Sequence, residues 1–103
     1  MTDDKLFVGT ELKMVVNLEC EGFSMDTDPW KVTVRRGSSK EVVCERGKNT
    51  VFDGENWICL VDTSILGAGI YKVIGEIDVP DPDFEDGYRH EVYVEEFKRV
   101  NQV

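Results

Sequence analysis

Several residue types and patterns are scarce in this chain. Its 103 residues include one histidine and three cysteines, and no apolar run approaches the length of a membrane-spanning helix. His90 cannot complete a zinc site with cysteines that lack CxxC spacing. No GxSxG, phosphate-binding or dinucleotide-binding motif is present. The sequence therefore predicts no catalytic residues, no cofactor, no enzymatic activity and no membrane partner.

The charge of the chain is strongly and unevenly negative. The formal net charge is −9, which argues against nucleic acid as a partner because phosphate contacts need a basic face. Residues 31–48 carry mostly bases, whereas residues 76–96 carry nine acids and one base, Arg89. Such asymmetry either orients copies head to tail or leaves two solvated surfaces, and it concerns association rather than fold.

Apolar residues alternate with polar ones in most segments of the chain. Residues 11–20 and 30–36 show this period of two, which predicts half-buried strands. Further strands are predicted at 41–44, 51–52, 57–62 and 70–79, and at 88–97 with Val92 and Val94 facing inward. About seven short strands with a turn roughly every ten residues predict an all-β antiparallel sandwich that occupies residues 1–103 as one domain. A small closed barrel produces the same pattern and is the alternative fold.

A short turn precedes the strand at 70–79. Residues 63–69 suit a single helical turn capped by Asp62 or Thr63. In Greek-key sandwiches a tyrosine at the start of a strand bonds back to the preceding crossing turn. This predicts a structural corner in which Leu66 enters the core, Gly67 and Gly69 reverse the chain, and Tyr71 supplies the hydroxyl group.

An acidic segment, DVPDPDFEDG, follows that strand. Its prolines and charges predict a solvated hairpin loop that resists pairing, so no metal site is expected. The alternative is a calcium loop, although the spacing fails the EF-hand pattern at its glycine and at its final glutamate. The carboxylates that would form it are Asp78, Asp81, Asp83, Glu85 and Asp86.

The remaining reactive or aromatic side chains favour structural roles. Asp26 and Asp28 lie close in sequence, but two carboxylates alone do not make an acid–base pair. Trp30 and Trp57 could stack on sugars if exposed, yet their strand positions favour burial. Cys20, Cys44 and Cys59 fit small core positions, with one disulfide left open.

Four features in order carry a family resemblance. They are a strand after "GT", the strand "WKVTV" with a basic turn, the crossing "DTSILGAGIY", and the exit "DGYRHEV" of the last hairpin. Over about residues 7–97 the chain resembles small Bacteroidetes prophage-type proteins and the N-terminal sandwich of phage baseplate upper proteins.

The resemblance implies an immunoglobulin-like sandwich that acts as a building block of a phage tail or baseplate. The expected partners are phage structural proteins or further copies of the chain. The absence of a leader-like segment at the start predicts a chain made in the cytoplasm, which a virion could later incorporate. In the family, a further domain after the sandwich carries the receptor-binding function. Residues 1–103 correspond to the sandwich alone, so we expect a small connector or accessory protein. The alternative is a carbohydrate- or calcium-binding module on the same scaffold.

Overall fold

The computed structural model describes residues 5–38 and 40–103. The sequence-based expectation about a leader rests partly on residues 1–4, which lie outside the described residues. Eight strands and one short helix occur in the described part. They are β1 (Leu6–Phe7), β2 (Glu11–Val16), β3 (Trp30–Arg36), β4 (Lys40–Glu45), β5 (Thr50–Phe52), β6 (Trp57–Asp62), α1 (Thr63–Leu66), β7 (Gly69–Pro80) and β8 (Tyr88–Asn101).

The strands form two sheets. The larger has the order β1-β8-β7-β3-β4, and the smaller has the order β2-β6-β5. Strands account for most of the described chain, and the only helix has four residues. The predicted all-β class is therefore confirmed.

The larger sheet is mixed, which corrects the prediction of a purely antiparallel fold. β1 runs parallel to β8, with Leu6 opposite Val100 and Phe7 opposite Asn101. Two residues are too few to show a period of two, so the sequence pattern did not reveal this strand. The predicted strand at 11–20 is also too long, because the chain leaves the sheet after Val16 and turns where the Phe23 amide donates to the Cys20 carbonyl at 3.0 Å.

The core lies between the two sheets. β7 supplies alternating inward residues because its period of two places Tyr71, Ile77 and Val79 on one face. β3 and β6 supply further buried residues in the same way. The largest fully buried side chains include Tyr71, Leu66, Ile77, Val34 and Val61.

The faces of β8 are opposite to those predicted. Val92 and Val94 are 54% and 61% exposed. In an antiparallel ladder, directly opposed residues share a face. Val92 lies opposite Glu76 and Val94 opposite Ile74, both on the outer face of β7. The strong alternation of β7 fixes the register of the hairpin, and this register turns the two valines outward.

The molecule is elongated. Its Cα radius of gyration is 15.2 Å and its extents are 50 × 32 × 25 Å. A compact chain of this length has a radius near about 13 Å. The long hairpin of β7 and β8, with twelve and fourteen residues, accounts for much of this length.

Candidate functional site

The corner residues meet at the end of β6. Leu66 is fully buried, and the Tyr71 hydroxyl donates to the Gly67 carbonyl at 2.8 Å. Asp62 caps α1 by accepting a hydrogen bond from the Ser64 amide at 2.9 Å. Burial raises the pKa of Tyr71, because the charged phenolate would be poorly solvated there. The cluster is a structural joint between β6 and β7 and has no chemistry of its own.

Two glycines give this joint its shape. Gly67 and Gly69 have φ angles of 82° and 142°, which residues with a Cβ rarely adopt. A Cβ at Gly69 would also lie 3.0 Å from Cδ of Arg36. Arg36 donates through Nε to the Leu66 carbonyl, so the crossing turn is held from β3 as well.

The five carboxylates of the acidic segment do not point to a common centre. Asp81 accepts hydrogen bonds from the Asp83 amide at 3.0 Å and from Arg89 at 2.7 Å. Asp86 accepts from the Tyr88 amide at 3.0 Å. Among the residues that the structure describes, no three histidine, cysteine or acidic side chains are placed to hold a metal ion together. Hydrogen bonds to the Asp83 amide and to Arg89 hold the pKa of Asp81 below its usual range.

Two carboxylates on the hairpin pair with the single histidine. His90 lies 2.7 Å from Asp78 and 3.2 Å from Glu76, on the outer face of the sheet. Its side chain is 54% exposed. The pair with Asp78, and then the one with Glu76, raises the pKa of His90. A recess that Lys31 and Glu45 also line borders these three side chains, and the ring is more than half exposed, so the arrangement is a surface ion cluster.

The tryptophans pack together rather than presenting free faces. Trp30 is buried, its ring centroid lies 5.7 Å from that of Trp57, and its Nε1 donates to the Met25 carbonyl at 2.9 Å. Trp57 is half-buried and donates to Asp26 at 3.3 Å. Asp28 accepts from the Ser24 amide at 2.9 Å. Asp26 and Asp28 therefore shape the loop between β2 and β3.

The three cysteines are unpaired thiols. Cys44 and Cys59 are fully buried on facing sheets, and Cys20 is half-buried. The pKa of Cys59 is raised, first by its hydrogen bond with Cys44 and then by burial. Cys44 and Cys59 behave as small core residues.

Near the tip of the hairpin of β7 and β8, charged residues lie on the face that points inward. Arg89 bonds to Glu91 at 2.8 Å and to Asp81 at 2.7 Å, and Tyr93 donates to Glu91 at 2.7 Å. The hydrogen bond with Glu91 raises the pKa of Tyr93 to about 12. Cys20 lies 3.9 Å from Arg89. This network lets β8 keep ionised groups on a face that is only partly covered by the rest of the protein.

An open groove lies where the smaller sheet stops short of β8. One wall is the edge of β2 and the residues after it, 12–18, and the other is β8 residues 93–97. Val32, Val73 and Gly75 form its floor, and its volume is about 640 Å³. We call this groove the open seam. Leu18 packs closely on Gly75, where a Cβ would lie only 3.1 Å from Leu18 Cδ2.

The open seam arises from unequal strand numbers. Among residues 5–38 and 40–103, β2 is an edge strand of the smaller sheet and pairs only with β6, while β8 extends beyond it in the larger sheet. On the opposite side the connection from β4 to β5 closes the sandwich, with Asn49 Nδ2 donating to the Val43 carbonyl at 2.8 Å. One side of the sandwich is therefore closed and the other is open.

Sequence reasoning missed the open seam. Its residues carry no motif, and each strand alone reads as an ordinary half-buried strand. The one available signal was the acidic content of β8 on both faces, since Glu91, Glu95 and Glu96 do not suit a fully covered strand.

The comparisons with known proteins add no name to this geometry. Within the part of the chain that the structure describes, no helix is long and apolar enough to cross a membrane. No family model matches the chain, and no match was found among curated proteins or solved structures.

Proposed function

We propose that the protein is a non-enzymatic interaction module that receives an extended strand of another protein subunit along the open seam. The observation that carries the proposal is that, among the described residues, a five-stranded sheet faces a three-stranded one, and the groove beside β2 has an apolar floor in which Val73 is half-buried. Because neighbouring strands lie about 4.8 Å apart, one extended strand added to β2 would widen the smaller sheet towards β8.

The free edge of β2 supplies the backbone part of this binding site. Edge strands carry unpaired N–H and C=O groups, which an extended peptide can pair with. Side chains on the inner face of the added strand would then pack on Leu18, Val73 and Phe97. Glu95 on the far wall favours a partner strand that carries a basic residue at that point.

The strand order supports an immunoglobulin-like assignment of the sandwich. In variable-type immunoglobulin domains, strands G, F, C and C′ lie side by side, and B, E and D form the facing sheet. The orders β8-β7-β3-β4 and β2-β6-β5 correspond to these two sets. Tyr71, at the start of the strand equivalent to F, fits the tyrosine corner of that class. In this assignment the open seam is the place that strand A takes beside strand B.

The sequence resemblance supplies the biological setting of the proposal. Because the chain resembles small prophage-type proteins and baseplate sandwiches, we propose that the partner is a virion structural protein and that this chain acts as a connector. The uneven charge supports an assembly role, since complementary surfaces orient subunits during association.

A peptide-display experiment tests the use of the open seam. The full chain is panned against a library of random twelve-residue peptides, and enriched peptides are titrated against wild type, Tyr93→Lys and Tyr88→Lys. Tyr93 lines the seam opposite Gly75, whereas Tyr88 lies outside it on the same strand and is similarly exposed, at 38% against 41%. We expect peptides with alternating apolar residues, weakened binding by Tyr93→Lys, and unchanged binding by Tyr88→Lys.

Co-expression with the products of neighbouring genes tests the setting. A complex that survives size-exclusion chromatography, and that Tyr93→Lys weakens, supports the connector role. Enrichment of no peptide, together with the absence of any such complex, would count against an interaction role at the seam.

A further inference from the structure

We infer that two copies of this chain pair through the free edge of β8, antiparallel and centred on Val92, so that their larger sheets join into one. The inference rests on the proposed interaction role but concerns a different surface. The open seam offers the edge of β2, whereas this pairing uses the outer edge of β8, whose residues 93–97 also form the far wall of the seam.

The free part of the β8 edge is long and regular. β8 pairs with β7 on one side, and on the other side β1 lies opposite Val100 and Asn101; from Tyr88 to Glu96 no second strand of the described residues pairs with β8. The ladder with β7 runs without interruption from Tyr88 to Glu96, and a bulge follows. Val92 is the midpoint of this regular stretch, which is the place where a two-fold axis gives the longest undistorted overlap.

The charges select this register. With the axis at Val92, Arg89 of each copy lies opposite Glu95 of the other, and both face inward. Opposed charges of unlike sign stabilise a strand pair, and like charges destabilise it. An axis at Tyr93 would place Glu91 opposite Glu95, and an axis at Glu91 would place two copies of Glu91 together. An axis at Val94 would oppose Arg89 to Arg99.

Face matching excludes the intermediate registers. A shift that places the axis between two residues would set the inward residues of one copy against the outward residues of the other. Among the registers compared, the one centred on Val92 keeps the faces matched and avoids opposed like charges.

Exposed apolar residues supply the driving force. Val92 would meet its own counterpart across the axis, and Val94 would lie beside His90 of the second copy. These two valines are 54% and 61% exposed in the single chain. A long edge strand with exposed apolar side chains is prone to pair with another chain. The two smaller sheets would lie on the same side, so the two open seams would face each other across the axis.

Site-specific cross-linking tests the position of the axis. Val92→Cys, Val94→Cys and Val15→Cys are each placed in a Cys20→Ser background and treated with a short bismaleimide. Val15 is the control, because it is 64% exposed but lies on the smaller sheet. We expect a rapid covalent dimer for Val92→Cys, a slower one for Val94→Cys and background for Val15→Cys.

Charge exchange tests the register. Arg89→Glu alone and Glu95→Arg alone should each lower the dimer fraction in sedimentation velocity, because each opposes like charges. An equal mixture of the two variants restores both opposite-charge pairs and should recover the dimer as a heterodimer. Val92→Lys, which places two lysines on the axis, should abolish the dimer, whereas Val15→Lys should leave it intact.

A wild-type chain that stays monomeric over the whole concentration series overturns the inference. Equal cross-linking at positions 92 and 15, or a mixture no more dimeric than either charge variant alone, also overturns it. If such a monomer still binds displayed peptides through the open seam, only the self-pairing fails and the proposed function stands.

Discussion

The Tyr71 hydroxyl donates to the Gly67 carbonyl at 2.8 Å and ties the start of β7 to the crossing turn before it. A hydrogen bond of this kind contributes about 1 kcal/mol to stability. We expect Tyr71→Phe to lower the free energy of unfolding by about that amount in urea denaturation. Tyr88→Phe, on an exposed residue of β8, serves as the control. An unchanged midpoint for Tyr71→Phe would contradict a stabilising role for this bond.

Truncation of the core should be far more costly than truncation on the outer face. Ile77 is 1% exposed, whereas Ile70 is 51% exposed on the same strand. Ile77→Ala removes packed atoms and leaves a cavity, so we expect a loss of about 2–5 kcal/mol. Ile70→Ala should change stability by less than about 0.5 kcal/mol. Chemical denaturation of both variants measures the difference. Similar losses would contradict the burial of Ile77 on one face of β7 and the exposure of Ile70.

The ion cluster of His90 predicts a pH-dependent stability. Asp78 and Glu76 raise the pKa of His90 above its ordinary value of 6.5, and Lys31 lies 3.6 Å from Glu76 on the same face. The contribution of protonated His90 to the stability of the fold is therefore fully present below pH 6.5. It is lost as the pH rises through the raised pKa of His90. The effect is small because the ring is more than half exposed. NMR titration of the ring measures the pKa, and His90→Gln should flatten the corresponding part of the melting-temperature curve.

Calcium should leave the stability of the protein unchanged. Asp81 and Asp86 accept hydrogen bonds from nearby backbone amides, Asp81 also accepts one from Arg89, and Asp78 pairs with His90. A ligand raises the melting temperature only if it favours the native state, and these groups offer no shared centre. Thermal unfolding with calcium and with magnesium should give superimposable curves. A calcium-specific rise that Asp81→Asn removes would revive the calcium-loop alternative.

The thiols should differ in reactivity. Cys20 is half-buried, while Cys44 and Cys59 are fully buried in the core. We expect iodoacetamide to modify Cys20 first and the buried pair only as the protein unfolds, because a raised pKa and burial both suppress the thiolate of Cys59. Mass spectrometry of peptides after timed alkylation measures the order. Early modification of Cys59 would show that the two sheets separate readily.

The strongly alternating segments were predictable from sequence. The strand predicted at 30–36 has the bounds of β3, and the helical turn and long strand follow at α1 and β7. Their inward positions are large and apolar, so each strand fixes its own buried face. Asp62 as the cap was one of two candidates, and its side chain makes the expected bond to the Ser64 amide.

β8 could not be assigned correctly from its own pattern. Val92 and Val94 read as the inward set, but the ladder with β7 places Glu91 and Tyr93 there instead. The deciding information lies in a neighbouring strand and in the network around Arg89. The open seam was hidden for the same reason, since it depends on how many strands each sheet contains.

The pairing of Leu6 with Val100 joins the opposite ends of the described chain. Such a contact closes a long loop, and it gains little until the rest of the sandwich is in place. We therefore expect β1 to dock last during folding and to detach first during unfolding. On a translating ribosome, β8 must be synthesised before β1 can join the strand with which it pairs.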